Sequence, residues 1–534
     1  VSIDFQHPCV ATTPMDSPAQ SRCHSADSEQ SEVSSDVEQV DHEMPTDSKE
    51  HGINPSMVEA QMQELLSRIA QAVARMEITN PEILRVTYAH QAFQGCGQVL
   101  RSDRDFYHKS RRREKISTFV SHSWHGSPWQ KILALITFYN SRAAICLGCV
   151  SAVTMMLLSG LGYLPDSFSN WATLSGCLTS ALVLMLWRPQ TEVFFDRICI
   201  SSDEGLKTQA IFSLAGLLKK SDQMLILWDP SWAHRLWCLF EFAAFLKSKQ
   251  STSQDLVIRP TIVGGLSIAT FIVFSMMALA LTTTPLDSDH VIIPMVAALV
   301  FALLSGYPAT SLMRGYFRSL DLMEEQLLSI SFDKTRSACC DSNHISHAGL
   351  PLLCDRKVVK ECVSRWFGSE AAFIESIRHE VLGILKAALS GKTFTREWAF
   401  GVTFPAFWAD LDFAAYFARL NQWDRSLAFI IEGLGVVFVV IPPTAQLLIQ
   451  ICRLYRHKAS SPCREVIYNL FVMFLCSLPI IIAMIVWILS GYMVYVPVTH
   501  NGGSVLLGSA TWFLLMLLQG TISQRLVQRW TKSM

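Results

Sequence analysis

Ile116-Ser117-Thr118-Phe119-Val120-Ser121-His122-Ser123-Trp124 decides the fold of this chain. Ile116 to Ser121 is a short, apolar and β-branched run, which predicts a buried strand. The Ser-His-Ser-Trp at its end puts polar and aromatic side chains where that strand opens onto a site. Downstream, Pro128 to Ser141 predicts a helix and Glu192-Val193-Phe194-Phe195-Asp196 a second strand. The loop Ser201-Ser202-Asp203-Glu204-Gly205 leads to a helix over Leu206 to Lys219. Gln223 to Trp228 predicts a third strand, Ala233 to Lys247 a helix, and Leu256-Val257-Ile258 a fourth strand. Strands alternating with helices imply a parallel sheet covered on both faces, which binds ligands outside the carboxyl ends of its strands.

Apolar runs interrupt and follow this pattern. Ala143 to Leu164, Trp171 to Trp187, Pro260 to Thr284, Val291 to Met313, Val466 to Val496 and Ser504 to Gln524 carry no charge, and Leu427 to Ile451 carries only Glu432. A bilayer crossing takes about 20 apolar residues, so these predict seven spans. The composition agrees: of 534 residues 50% are hydrophobic and 17% charged, against about a quarter charged in ordinary soluble domains. Trp398 to Ala418 is a weaker eighth candidate because of Asp410 and Asp412. The loop Cys452 to Glu465 carries Arg453, Arg456, Lys458 and Arg464, and the tail carries Arg525, Arg529 and Lys532. Placing both on the cytosolic side requires the eighth crossing. The expected topology is therefore four membrane hairpins, with the α/β domain and the C-terminus cytosolic.

The flanks complete the division of the chain. Residues 1–54 are acidic and Ser-rich, a composition that predicts disorder. Residues 55–115 form a helical and basic pre-domain segment. Its amphipathic helix begins at Asn54-Pro55 and ends near Asn80-Pro81, and Arg111-Arg112-Arg113 forms a basic boundary. The sheet domain covers 116–258, interrupted by a membrane hairpin at 143–187. A second hairpin covers 260–313, a cytosolic helical segment 314–396, a C-terminal membrane region of about four helices 397–524, and a basic cytosolic tail 525–534. Within 314–396, Trp366, Phe367, Phe373, Ile377, Val381 and Ile384 give a stripe suited to packing on the sheet domain. The net charge of −1 gives no footprint for nucleic acid. The 15 cysteines are odd in number and lack framework spacing, which fits reduced thiols.

The interrupted α/β stretch, about a quarter of the chain, resembles a TIR (Toll/interleukin-receptor) domain. Phe119-Val120-Ser121-His122-Ser123 is similar to that family's opening strand. Phe194-Phe195-Asp196 with its following loop is similar to the second strand and BB loop, and Ser221 to Trp228 to the third strand. Arg235-Leu236-Trp237-Cys238-Leu239-Phe240-Glu241 is the most specific piece and resembles plant-type TIR domains. The resemblance implies a parallel sheet in flavodoxin-like order, joined here to an all-α multi-pass transmembrane region of about eight helices. It also implies signalling through TIR–TIR contact or self-association. In NAD-cleaving members the matching Glu serves catalysis, which makes Glu241 the candidate catalytic residue. Ser121, His122, Ser123, Trp124, Asp203 and Trp237 are then candidate residues of an NAD cleft. NAD enters as a substrate, and no cofactor is required. Two departures stand out: the hairpin inside the domain, and the absence of a fifth strand and last helix, since Pro260 starts a span.

Glu241 suits the chemistry, because one carboxylate beside the ribose can stabilise an oxocarbenium-like transition state. Trp237, one helical turn earlier on the same face, can stack on nicotinamide. The plainer reading is a partly exposed helix Glu with Trp237 in the core. Two other constellations carry candidate chemistry. Cys339, Cys340, His344, His347 and Cys354 offer zinc-type donors, but their spacing matches no closed site, so an ordinary loop is expected and no metal is assigned. Asp410, Asp412 and Glu432 can mark an ion path, which makes a transporter or channel a further alternative.

Overall fold

The structure, a computed structural model, describes residues 55–165, 170–249, 255–283, 292–345, 353–378 and 396–478, with four further positions at 514, 517, 521 and 525. The expectations for residues 1–54, for most of the last two spans and for the tail lie outside the described residues, as do His347, Val381 and Ile384.

The chain opens with α1 (Pro55–Ala74), β1 (Arg85–Tyr88), α2 (Ala89–Arg101), β2 (Arg111–Arg112) and β3 (Ile116–His122). Then come α3 (Pro128–Gly160), α4 (Trp171–Leu186), β4 (Glu192–Phe194), α5 (Asp196–Cys199), α6 (Glu204–Phe212), α7 (Leu214–Lys219), β5 (Ser221–Trp228), α8 (Leu236–Ser248) and β6 (Leu256–Pro260). They are followed by α9 (Ile262–Thr282), α10 (Ile292–Leu328), α11 (Ala338–Asp341), α12 (Asp355–Phe367), α13 (Glu370–Ser376), α14 (Arg396–Arg419), α15 (Trp423–Gly435) and α16 (Ile441–Leu454), the last two joined by a π-helical turn.

The six strands form one sheet in the order β2-β1-β4-β3-β5-β6. β4, β3, β5 and β6 are parallel, with Phe119 opposite Phe194 and Met224 and with Ile226 opposite Ile258. The sheet is mixed rather than all parallel, because β1 and β2 join its edge antiparallel. Residues 55–115, read from sequence as a helical and basic pre-domain segment, supply these two edge strands. β1 has four residues and β2 two, too short for period-2 alternation to register. The basic boundary is a charged edge strand: Arg111 and Arg113 pair with Glu192, Arg112 with Glu82, and Arg111 lies over the Tyr88 ring. Such charges blunt a sheet edge against further pairing. The helix expected over 206–219 is two, broken at Ser213, whose buried hydroxyl meets Thr79. α1 stops at Ala74, short of Asn80.

One apolar core joins the sheet to α1, α8, the end of α10, α12 and α13. Phe119 and Phe194 stack at 4.8 Å in its centre. Trp366, Phe373 and Ile377 are buried in this same core, and the Trp366 indole donates to Ala74 O at 2.9 Å.

Among the described residues, three helical stretches are long and apolar enough to cross a membrane: Pro128–Gly160, Ile262–Thr282 and Trp423–Leu454. α4 is a shorter apolar helix of 16 residues. Val150, Leu157, Leu182 and Met185 stand exposed on α3 and α4, an arrangement suited to lipid and costly in water. α3 carries no break between its domain half and its apolar half. At 1.5 Å per residue its 33 residues reach about 50 Å. β6 likewise passes into α9 through Thr261, whose N–H donates to Trp228 O at 2.9 Å. Gly264 lets α9 touch the α3 backbone, since a Cβ there would lie 2.4 Å from Ala134 N.

α14, the weakest candidate by sequence, packs against α3, α4, α9 and α15. Its Trp408 is fully buried against Gly176, where a Cβ would come within 2.7 Å of the ring. Small residues of this kind let membrane helices approach closely.

Candidate functional site

The carboxyl ends of β3 and β4 lie side by side, so the residues following each strand converge. Ser121 is buried in β3, and its Oγ donates to Glu241 Oε2 at 2.6 Å. The Trp232 indole, fully buried, donates in turn to Ser121 Oγ at 3.1 Å. Glu241 is thus held from α8 by a two-step relay. Burial of its carboxyl, with the Asp196 charge as a smaller contribution, pushes its pKa up to about 8 against the opposing Ser121 hydrogen bond.

Asp196 opens α5 directly after β4. The Trp124 indole donates to its Oδ2 at 3.1 Å, and His122 Nε2 lies 3.3 Å from Oδ1. The His122 ring stacks on Phe195 at 4.9 Å and meets Trp124 edge-on at 4.5 Å. Ser123 Oγ accepts from Ser231 Oγ at 2.7 Å, and the buried Lys131 donates to the Ser123 and Gly126 carbonyls.

Beside this cluster is an open cleft of about 830 Å³ including its mouth. Its walls carry Trp124, Asp196, Ser201, Ser202, Arg104, Arg197 and Lys207. Arg197 pairs with Asp103 at 2.7 Å, and Ser202 Oγ donates to Asp105 at 2.6 Å, so the loop before β2 forms one wall. The cleft offers an aromatic face, three cations and hydroxyls, the groups a phosphate-bearing ligand uses.

Of the candidates named from sequence, Ser121, His122, Ser123, Trp124 and Glu241 are brought together. Asp203 is not among the cleft walls; it caps α6, accepting from Leu206 N–H at 2.9 Å. Trp237 sits in a wall formed with Val73, Ile211, Phe212, Phe240 and Val358. Its indole bonds the carboxyl of Asp355, which burial pushes up to about 6. Residues not singled out from sequence are Trp232, Asp196 and the cleft cations. Asp196 had a legible signal, an acid at the end of a strand, whereas Trp232 arrives from a loop of no motif.

The acids of the bundle are also placed. Asp412 is buried and accepts the N–H groups of Ala172 at 2.7 Å and Thr173 at 2.9 Å, so it caps α4. Arg419 donates to Ser159 O at 2.5 Å and Leu164 O at 2.7 Å, closing α3. Asp410 lies against Gly433 on α15. No protein-family model, curated protein or solved structure matches the chain.

Proposed function

We propose that this chain is a multi-pass membrane signalling module. Its sheet unit, TIR-like and cytosolic, works by contact with other TIR domains or with a second copy of itself. One observation carries the reading: two elements of the sheet unit are continuous with the membrane bundle. α3 leaves β3 and runs as one helix to Gly160, and β6 passes into α9 with no linker. A rearrangement of the bundle is therefore transmitted to the ends of the strands. The parallel strands' order, 2-1-3-4 in their own numbering, supports a flavodoxin-like and hence TIR-like sheet. The test is energy transfer between donor- and acceptor-labelled full chains in proteoliposomes, compared with an unrelated multi-pass protein at equal density. Transfer above that control is expected, and transfer equal to the control at every density rules out contact between copies.

A second reading, NAD glycohydrolysis, is favoured by the Ser121-anchored carboxyl of Glu241 close to a cleft whose walls carry three cations and three carboxylates. Ionised Glu241 would stabilise the ribosyl cation as nicotinamide departs, and Arg104, Arg197 and Lys207 would meet the pyrophosphate. Purified protein clustered on liposomes should release nicotinamide, and Glu241→Gln should lower that rate about 10²-fold or more. Because the free carboxyl titrates near 8, kcat/KM should rise with pH toward that value. No release by clustered wild type removes this reading.

A further inference from the structure

The loop between α10 and α12 brings together four donors that the sequence scatters over sixteen positions, Cys339, Cys340, His344 and Cys354. Their donor atoms all lie within 4.8 Å of one another. Cys339 Sγ is 3.8 Å from Cys340 Sγ, Cys340 Sγ is 4.0 Å from Cys354 Sγ, and Cys340 Sγ is 3.6 Å from His344 Nε2. A tetrahedral zinc with Zn–S of about 2.3 Å and Zn–N of about 2.0 Å sets its ligands about 3.8 Å apart for two sulfurs and about 3.5 Å for sulfur and nitrogen. These spacings fit ligands around one ion. They are far longer than the S–S bond of about 2.05 Å in a disulfide.

Neighbouring groups hold the sulfurs in place. Cys339 is buried, with the Asp355 N–H donating to its sulfur at 3.3 Å; Ser337 Oγ lies 3.1 Å from the same sulfur. Such outer contacts orient metal ligands. Cys354 is the N-cap of the 13-residue α12, where the helix dipole favours a negative sulfur. The backbone turns left-handed at Asn343 and His344, and the His344 N–H donates to Cys339 O at 2.7 Å, which returns the imidazole to the sulfurs.

We infer that Cys339, Cys340, His344 and Cys354 form a structural Cys₃His zinc site that fastens the start of α12 to the sheet unit. The same loop is stitched to the site side of the sheet, since Arg336 N–H donates to His234 O at 2.7 Å and Leu236 N–H donates to Arg336 O at 3.2 Å. Asp355, next to the ligand Cys354, bonds Trp237. The four ligands close the tetrahedron, so the ion binds no substrate and serves to hold geometry.

The full chain, purified in detergent under reducing conditions, should carry about one zinc ion, measured by plasma mass spectrometry. Cobalt exchanged into it should give thiolate-to-cobalt charge-transfer and tetrahedral d–d absorption. The double variant Cys340→Ser, Cys354→Ser should lose both signals, whereas Cys463→Ser, at an exposed thiol elsewhere, should keep them. Should the double variant fail to fold, X-ray absorption on the wild type still decides, because the site requires three sulfurs and one nitrogen. No metal after zinc supplementation overturns the inference. So does metal retained in the double variant, or a disulfide among Cys339, Cys340 and Cys354 in protein alkylated at lysis.

Discussion

At the scale of single residues, Glu241 sets a measurable pH dependence. Its carboxyl is pushed up to about 8 in the folded protein, against about 4.3 in an unfolded chain. Between these values the folded state holds a proton that the unfolded state has released, so stability falls as pH rises through this window and levels off above 8. Glu241→Gln keeps an acceptor for Ser121 and removes the titration. The expected outcome is a Tm that declines from pH 5 to 8 in wild type and declines less in the variant, followed by near-ultraviolet circular dichroism in detergent. Equal slopes would show that the Glu241 carboxyl is solvated. Ser121→Ala isolates the relay, since it leaves the Trp232 indole without its acceptor. It should cost about 1–3 kcal/mol, the usual penalty for an orphaned buried donor.

At the scale of elements, the α3–α4 hairpin is fixed at both ends by polar groups. Asn140 Nδ2 donates to Leu184 O at 2.9 Å and Trp187 O at 3.2 Å at its base, and Asp412 and Arg419 hold its tip. Asp412→Ala leaves the first N–H groups of α4 unpaired where water is scarce, and should destabilise by about 1–3 kcal/mol. Asp412→Asn retains acceptor capacity and should recover part of that loss, a comparison read from thermal aggregation midpoints in one detergent. Equal stability of wild type and Asp412→Ala would deny Asp412 the capping role. These contacts show why the sequence was legible in some places and mute in others. Length and absence of charge identified α4 and α9 to within a few residues, because lipid imposes one strong requirement on a helix. β3, β4 and β5 were legible because fully buried parallel strands are continuous apolar runs. β1 and β2 were not, since an edge strand two to four residues long carries Arg for the same reason a loop does. Asp412 counted against α14 as a span only because the N–H groups it satisfies lie 240 positions away in sequence. The convergence of Ser121, His122, Ser123 and Trp124 followed from being consecutive at one strand end. The zinc-type donors were visible as residue types, but the two left-handed residues that gather them were not.

At the scale of the whole molecule, one contact network bears on the proposed path of the chain through a bilayer. α10 carries Arg314, fully buried, whose guanidinium donates to Tyr455 O at 2.7 Å, His457 O at 2.5 Å and Glu465 at 3.0 Å, and to Asn469. One turn on, Arg318 meets Glu465 at 3.2 Å, and Asp321 pairs with Arg456. Beyond them, Leu320, Met323 and Leu327 enter the core of the sheet unit. The basic loop after α16 therefore packs on the stretch of α10 that leads into the sheet core, which on the proposed reading puts it on the sheet's side of the membrane. At the other end of α14, Arg419 binds the tip of the α3–α4 hairpin, one long apolar helix away from the sheet. Trp423–Leu454, which starts beyond that tip and ends at the basic loop, is long and apolar enough to cross a membrane once. On the proposed multi-pass reading, α14, which precedes it and ends at that tip, carries the chain outward from the sheet side. Cysteine labels at 458–460 and at 219–220 should be blocked from an impermeant reagent together, in the same oriented vesicles. A label in the Asn421–Gln422 turn should react from the opposite face. If the turn and residues 219–220 are reached from one side, α14 does not cross; if the turn and the basic loop are, Trp423–Leu454 does not.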